Sequence, residues 1–93
     1  MLTYTLDLHS IPLKGEINQR EIIYKAIDNF LTPLLKKKNI QIEIIVGRGN
    51  NSNIYSFIKG VPVTRYYTKE YLTLLNIKCK YSSSLGKFYF FLV

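Results

Sequence analysis

Residues 40–46 read Ile40-Gln41-Ile42-Glu43-Ile44-Ile45-Val46, and the fold of this 93-residue chain turns on them. β-Branched residues alternate with polar ones and then run continuously apolar, the pattern of a central strand. The run stops at Gly47-Arg48-Gly49 and is followed by Asn50-Asn51-Ser52-Asn53, a stretch of turn formers.

Upstream of this strand the apolar period changes. Ile22, Ile23, Ala26, Ile27, Phe30, Leu31 and Leu34 recur at spacings of three and four, which predicts one stripe of an amphipathic helix. Asn18 followed by Glu21 has the form of a capping box, with Ile17 and Ile22 placed as a hydrophobic staple. Pro33 lacks a backbone donor and predicts a break near Thr32. Lys36, Lys37 and Lys38 then follow as a solvated helix end. Before the helix, Tyr4, Leu6 and Leu8 alternate with Thr5, Asp7 and His9, which predicts a strand. A turn-rich connection, Ser10 to Gly15, joins the two.

Downstream, Ile54 to Gly60 leaves room for a helical turn and receives no firm assignment. Val61 or Pro62 to Leu75 reads as a second helix, with Leu72 and Leu75 pairing with Val61 or Tyr71 as its apolar face. Ile77 to Tyr81 is a strand, Ser82 to Gly86 a turn, and Lys87 to Val93 a closing strand. The order is βαβαββ in a single domain spanning residues 1–93. The fold class is α/β, an α+β two-layer sandwich with a mixed four-stranded sheet and two helices.

Composition narrows the function. An apolar fraction of 47% is ordinary for a globular domain, whereas a net charge of +7 favours a polyanionic partner, nucleic acid ahead of a membrane surface. Cys79 is the single cysteine, so no internal disulfide or cysteine-rich zinc site can form; a small hydrophobe in a strand is its plainest role. No basic segment followed by an apolar run opens the chain, and the run from Phe88 to Val93 is too short to span a bilayer. A soluble protein of the reducing cytoplasm is expected.

The chemistry is placed by the topology. A strand, a crossover helix and a second strand in one sheet normally form a parallel unit, whose carboxyl ends share one edge. His9 ends the first strand and Gly47-Arg48-Gly49 follows the second, so these groups converge where open α/β sheets bind ligands. On the strand, Asp7 and His9 share the polar face, and His9 is the only histidine. The glycines let backbone amides approach an anion, and the guanidinium of Arg48 can hold phosphate through two hydrogen bonds.

Leu6-Asp7-Leu8-His9, Phe30-Leu31, the Ile42–Val46 strand, Gly47-Arg48-Gly49 and the Gly86–Val93 strand together resemble the Smr (small MutS-related) domain family. Asn50 and Ser52 are similar to the GRGN-x-S variant of its eukaryotic members. Ser10 stands where glycine is usual, and Val46 where threonine or histidine often precedes the loop. The resemblance implies a fold similar to the C-terminal domain of translation initiation factor 3. It also implies an endonuclease acting on RNA, in some eukaryotic members on the mRNA of stalled or collided ribosomes.

By the same resemblance Asp7, His9 and Arg48 are the catalytic residues. His9 would move a proton to or from a ribose or leaving oxygen, Asp7 would orient it, and Arg48 would stabilise charge on the phosphate. Gly47, Arg48, Gly49, Asn50, Ser52, Lys59, Arg65 and Lys69 are the expected nucleic-acid-binding residues, with Tyr55, Tyr66 and Tyr67 available for stacking or for core packing. No cofactor is expected; a divalent metal is compatible with one histidine, although Asp7 and His9 alone make a thin site. The competing reading is a non-catalytic RNA- or ribosome-binding module. A small-molecule enzyme has no dinucleotide fingerprint, P-loop or nucleophile–base pair to support it.

Overall fold

The computed structural model describes residues 1–11, 13, 15–48 and 57–93. The Ile40–Ile45 strand (β2) is central, as its sequence requires. It pairs parallel with β1 (Leu2–Asp7) on one side and antiparallel with β6 (Lys87–Leu92) on the other, and β5 (Lys80–Ser82) closes the order β1-β2-β6-β5. The register sets Asp7 beside Ile45, and the Leu8 amide donates to the Ile45 carbonyl at 2.8 Å, carrying the pairing one residue beyond β1. The architecture is α+β, a mixed four-stranded sheet with two helices.

Strand alternation divides the sheet into two faces. On one, Ile40, Ile42, Ile44 and Val46 meet Phe88, Phe90 and Leu8 in a continuous core. The first helix, α1 (Gln19–Leu31), adds Ile23, Ile27 and Leu31, and Leu34 follows in the turn beyond it. Burying these branched side chains stabilises the fold by roughly 1.5–3 kcal/mol each before entropy is counted. α1 stops at Leu31 with Thr32 as its C-cap, one residue before Pro33, where the missing donor was expected to break it.

Several expectations are corrected. Asn18 occupies the N-cap position of α1 but makes no side-chain capping hydrogen bond, and Ile17 is fully exposed, so neither the capping box nor the staple forms. The second helix, α2, runs from Val63 to Leu74, preceded by a hairpin of β3 (Phe57–Ile58) and β4 (Val61–Pro62). The helical turn considered for Ile54 to Gly60 is therefore a β-turn over its described part, with Lys59 and Gly60 at positive φ; residues 54–56 lie outside the described residues. Leu75 caps α2 and is 39% exposed, so it does not share the apolar face with Leu72. That face is built from Val63, Thr64, Thr68 and Leu72 instead. β5 begins at Lys80 rather than Ile77, leaving Cys79 half-buried just ahead of it, against the core.

The helices meet along a polar seam. The Tyr24 hydroxyl donates to Glu70, the Arg20 guanidinium lies 3.3 Å from the same carboxylate, and the rings of Tyr24 and Tyr71 are 4.4 Å apart. No helix of the described residues is long and apolar enough to cross a membrane.

Candidate functional site

The carboxyl edge shared by β1 and β2 carries the site. Alternation along β1 turns Leu6 and Leu8 toward the core, leaving Asp7 and His9 on the opposite side, their side chains 45% and 48% exposed. The Asp7 carboxylate folds back onto the chain. Its Oδ1 accepts the His9 backbone amide at 3.0 Å and is also hydrogen-bonded to His9 Nδ1. This closes an Asx-type turn that fixes the imidazole where the strand ends. With Nδ1 engaged by a carboxylate, Nε2 is the ring nitrogen left to accept or donate a proton.

The parallel register ends at Asp7 and Ile45, and His9 and Arg48 follow two and three residues beyond that last pair, at the same edge of the sheet. The loop at this point is held from the other side by the β5–β6 turn. The Gly86 carbonyl accepts the amides of Val46 (2.8 Å) and Gly47 (3.0 Å), while its own amide donates to the Ser82 carbonyl at 2.8 Å. A Cβ on Gly86 would stand 2.5 Å from the Gly47 carbonyl carbon and 2.9 Å from the Arg48 amide nitrogen. Gly86 also has φ +63°, so only glycine fits both the conformation and the approach. The Gly47–Arg48 peptide is thereby pinned, and the exposed Arg48 side chain makes no ion pair or hydrogen bond among the described residues.

No family model, curated protein or solved structure matches this chain.

The residues expected to bind nucleic acid separate into groups. Gly47 and Arg48 join Asp7 and His9 at the edge; Gly49, Asn50, Ser52 and Tyr55 lie outside the described residues. Lys59 stands exposed in the β3–β4 turn. Arg65 and Lys69 are carried by α2. The Arg65 guanidinium lies 4.1 Å from the Tyr81 ring centroid, and one turn further along α2 Lys69 acts on the half-buried Cys79. They line a groove of about 470 Å³ with Tyr66 and Glu70. Tyr66 and Tyr67 pack edge to face at 5.6 Å, both half-buried, and Tyr67 also lies under Arg20. Packing therefore takes most of their surface.

Among the described residues no group of three His, Cys, Asp or Glu side chains is placed to hold a metal ion, so Asp7 and His9 supply two donors without a third. The site residue missing from the sequence reading is Gly86, which appears there only as the glycine opening the last strand. Its signal was present in the turn Ser82 to Gly86, but its partner, the Gly47–Arg48 peptide, is some forty residues away and becomes visible only with the β2–β6 pairing.

Proposed function

We propose that this chain is an Smr-like nucleic-acid-binding domain, similar in fold to the C-terminal domain of translation initiation factor 3, that cleaves RNA at the β1–β2 carboxyl edge in the cytoplasm. The observation that carries the reading is the Asp7–His9 pair, with its imidazole held through Nδ1, at the same sheet edge as a pinned Gly47–Arg48 peptide.

In the reaction so read, His9 Nε2 takes the proton of a ribose 2′-hydroxyl as its oxygen bonds to phosphorus. The bond from phosphorus to the 5′-oxygen breaks, and the leaving oxygen collects a proton from the imidazolium or from water. The products are a 2′,3′-cyclic phosphate and a 5′-hydroxyl. Asp7 keeps the ring from turning away, as the carboxylate does in other Asp–His pairs. Arg48 places a bidentate donor against the non-bridging phosphate oxygens as negative charge accumulates there. RNA associated with ribosomes is the substrate class that the family resemblance suggests.

One observation favours the alternative, an RNA- or ribosome-binding module without catalysis. Asp7 and His9 are each about half exposed, so bulk water reaches the pair and weakens the electrostatic advantage that a dry site confers. A nuclease assay on purified protein separates the two. Cleavage of end-labelled RNA to cyclic-phosphate ends supports the enzyme; tight, steeply salt-dependent binding without cleavage supports the module.

A further inference from the structure

Among the described residues the helices cover one face of the sheet and no helix covers the other, where Tyr89 is half-buried and Phe91 exposed. Across that open face the antiparallel register sets Lys87 beside Ile45, Tyr89 beside Glu43 and Phe91 beside Gln41, while Lys80 of β5 lies beside Tyr89. Phe91 is 49% exposed, far more than its neighbour Phe90 on the core side. Phe91 and Tyr89 border a shallow hollow of about 280 Å³, lined also by Lys78, Lys80, Phe90 and Val93. Both lysines are exposed and make no ion pair among the described residues. The acids of this face are already matched: Glu43 by Lys87 at 2.9 Å, and Asp7 by His9.

We infer that this open face is a stacking platform for single-stranded RNA, with bases on Tyr89 and Phe91 and phosphates at Lys78 and Lys80. Aromatic faces displayed on an uncovered sheet accept unstacked bases of any sequence, and flanking lysines neutralise the backbone between them. Tyr89 and Phe91 are two residues apart on one strand, about 7 Å, so successive or alternate bases can occupy them. β6 begins beside the carboxyl end of β2, so a strand lying along Phe91, Tyr89 and Lys87 leads toward Arg48 over about 14 Å from Phe91 to Lys87. A second copy of the chain is a poorer occupant. Twofold packing of this face on itself would bring the unmatched lysine pairs of the two copies into one interface.

This inference rests on the nucleic-acid part of the function proposed above and is independent of cleavage. The test uses the full chain carrying His9→Ala, so that bound RNA stays intact, with a labelled single-stranded ribo-oligonucleotide as the probe. Phe91→Ala and Tyr89→Ala should each weaken binding about 5- to 100-fold. The Phe91→Leu variant, which keeps apolar volume and loses the ring, should share the Phe91→Ala defect. Lys78→Gln with Lys80→Gln should lower the slope of log affinity against log salt by about 0.7 per lysine. Amide shifts on RNA addition should cover 87–92 and 78–82.

Shifts confined to residues 7–9 and 46–48, with affinity unchanged in the Phe91 variants, overturn the platform and leave the edge reading standing. Full binding of an abasic oligonucleotide also overturns it, as does loss of a wild-type dimer as the sole effect of Phe91→Leu. Shifts over β5 and β6 in a chain whose wild type does not cleave RNA keep the platform and remove the nuclease.

Discussion

Replacing Gly86 with alanine tests the joint that holds the site together. The new Cβ would lie 2.5, 2.8 and 2.9 Å from the Gly47 carbonyl carbon, the Gly47 oxygen and the Arg48 amide nitrogen, all backbone atoms with no rotamer to yield. Alanine at φ +63° alone costs roughly 1–2 kcal/mol. Relieving the contact means separating the two loops, which weakens the bonds from the Val46 and Gly47 amides to the Gly86 carbonyl, each worth about 0.5–1.5 kcal/mol. The total is about 2–5 kcal/mol, a large share of the roughly 5–14 kcal/mol expected for a domain of this length.

Gly60→Ala is the matched control. Gly60 has φ +79° with nothing within 4 Å of its would-be Cβ, so it carries the conformational cost without the contact. Urea unfolding with unchanged slope should place Gly86→Ala at least about 1 kcal/mol below Gly60→Ala. RNA binding at the edge should fall in the first variant and hold in the second. Equal destabilisation of the two would refute the close approach and, with it, the claim that Gly86 positions Arg48.

Three further outcomes are expected. Thr68 Oγ1 is fully buried without a hydrogen-bond partner among the described residues, so Thr68→Val, which keeps the shape and removes the hydroxyl, should stabilise the protein by about 1 kcal/mol in urea unfolding; a loss of similar size would mean that the hydroxyl is satisfied. Burial and then the Glu70 hydrogen bond push the Tyr24 phenol up to about 12. Its contribution is intact below pH 10 and lost as pH rises from 10 toward 12, because the unfolded chain releases a proton that the folded one retains. Tyr24→Phe should flatten the fall of Tm across that window, and an unchanged pH profile would exclude Tyr24 as its source. Burial likewise raises the Cys79 thiol, so it should react with a thiol reagent more slowly folded than in urea, and equal rates would contradict its packing.

Much of the fold was legible because its strands state their own environment. Ile40–Ile45 is apolar enough to be central, and Tyr4, Leu6 and Leu8 alternate as an edge strand does. What escaped was carried by residues whose type misstates their burial. Thr64 and Thr68 are polar by composition yet lie on the core face of α2, so an apolar stripe read from residue type alone falls on Leu72 and Leu75, of which Leu75 is exposed. Ile17 is apolar yet fully exposed, because the connection before α1 does not bring it back over Ile22. At the site, the parallel crossover was enough to bring His9 and Arg48 to one edge. Arg65 and Lys69 stand out in the sequence by charge alone; on α2, Arg65 lies over the Tyr81 ring of β5. The clamp at Gly86 depends on a long-range pairing that no local pattern encodes.

The central claim is that the Asp7–His9 pair and Arg48 act on one phosphate. It is tested most directly by the single-turnover cleavage rate of a labelled RNA with wild type, His9→Ala and Arg48→Ala, each first shown to fold and to bind the RNA. Wild type should yield cyclic-phosphate ends, and each variant should lose at least about 100-fold in rate. Cleavage at the wild-type rate by both variants would contradict the account.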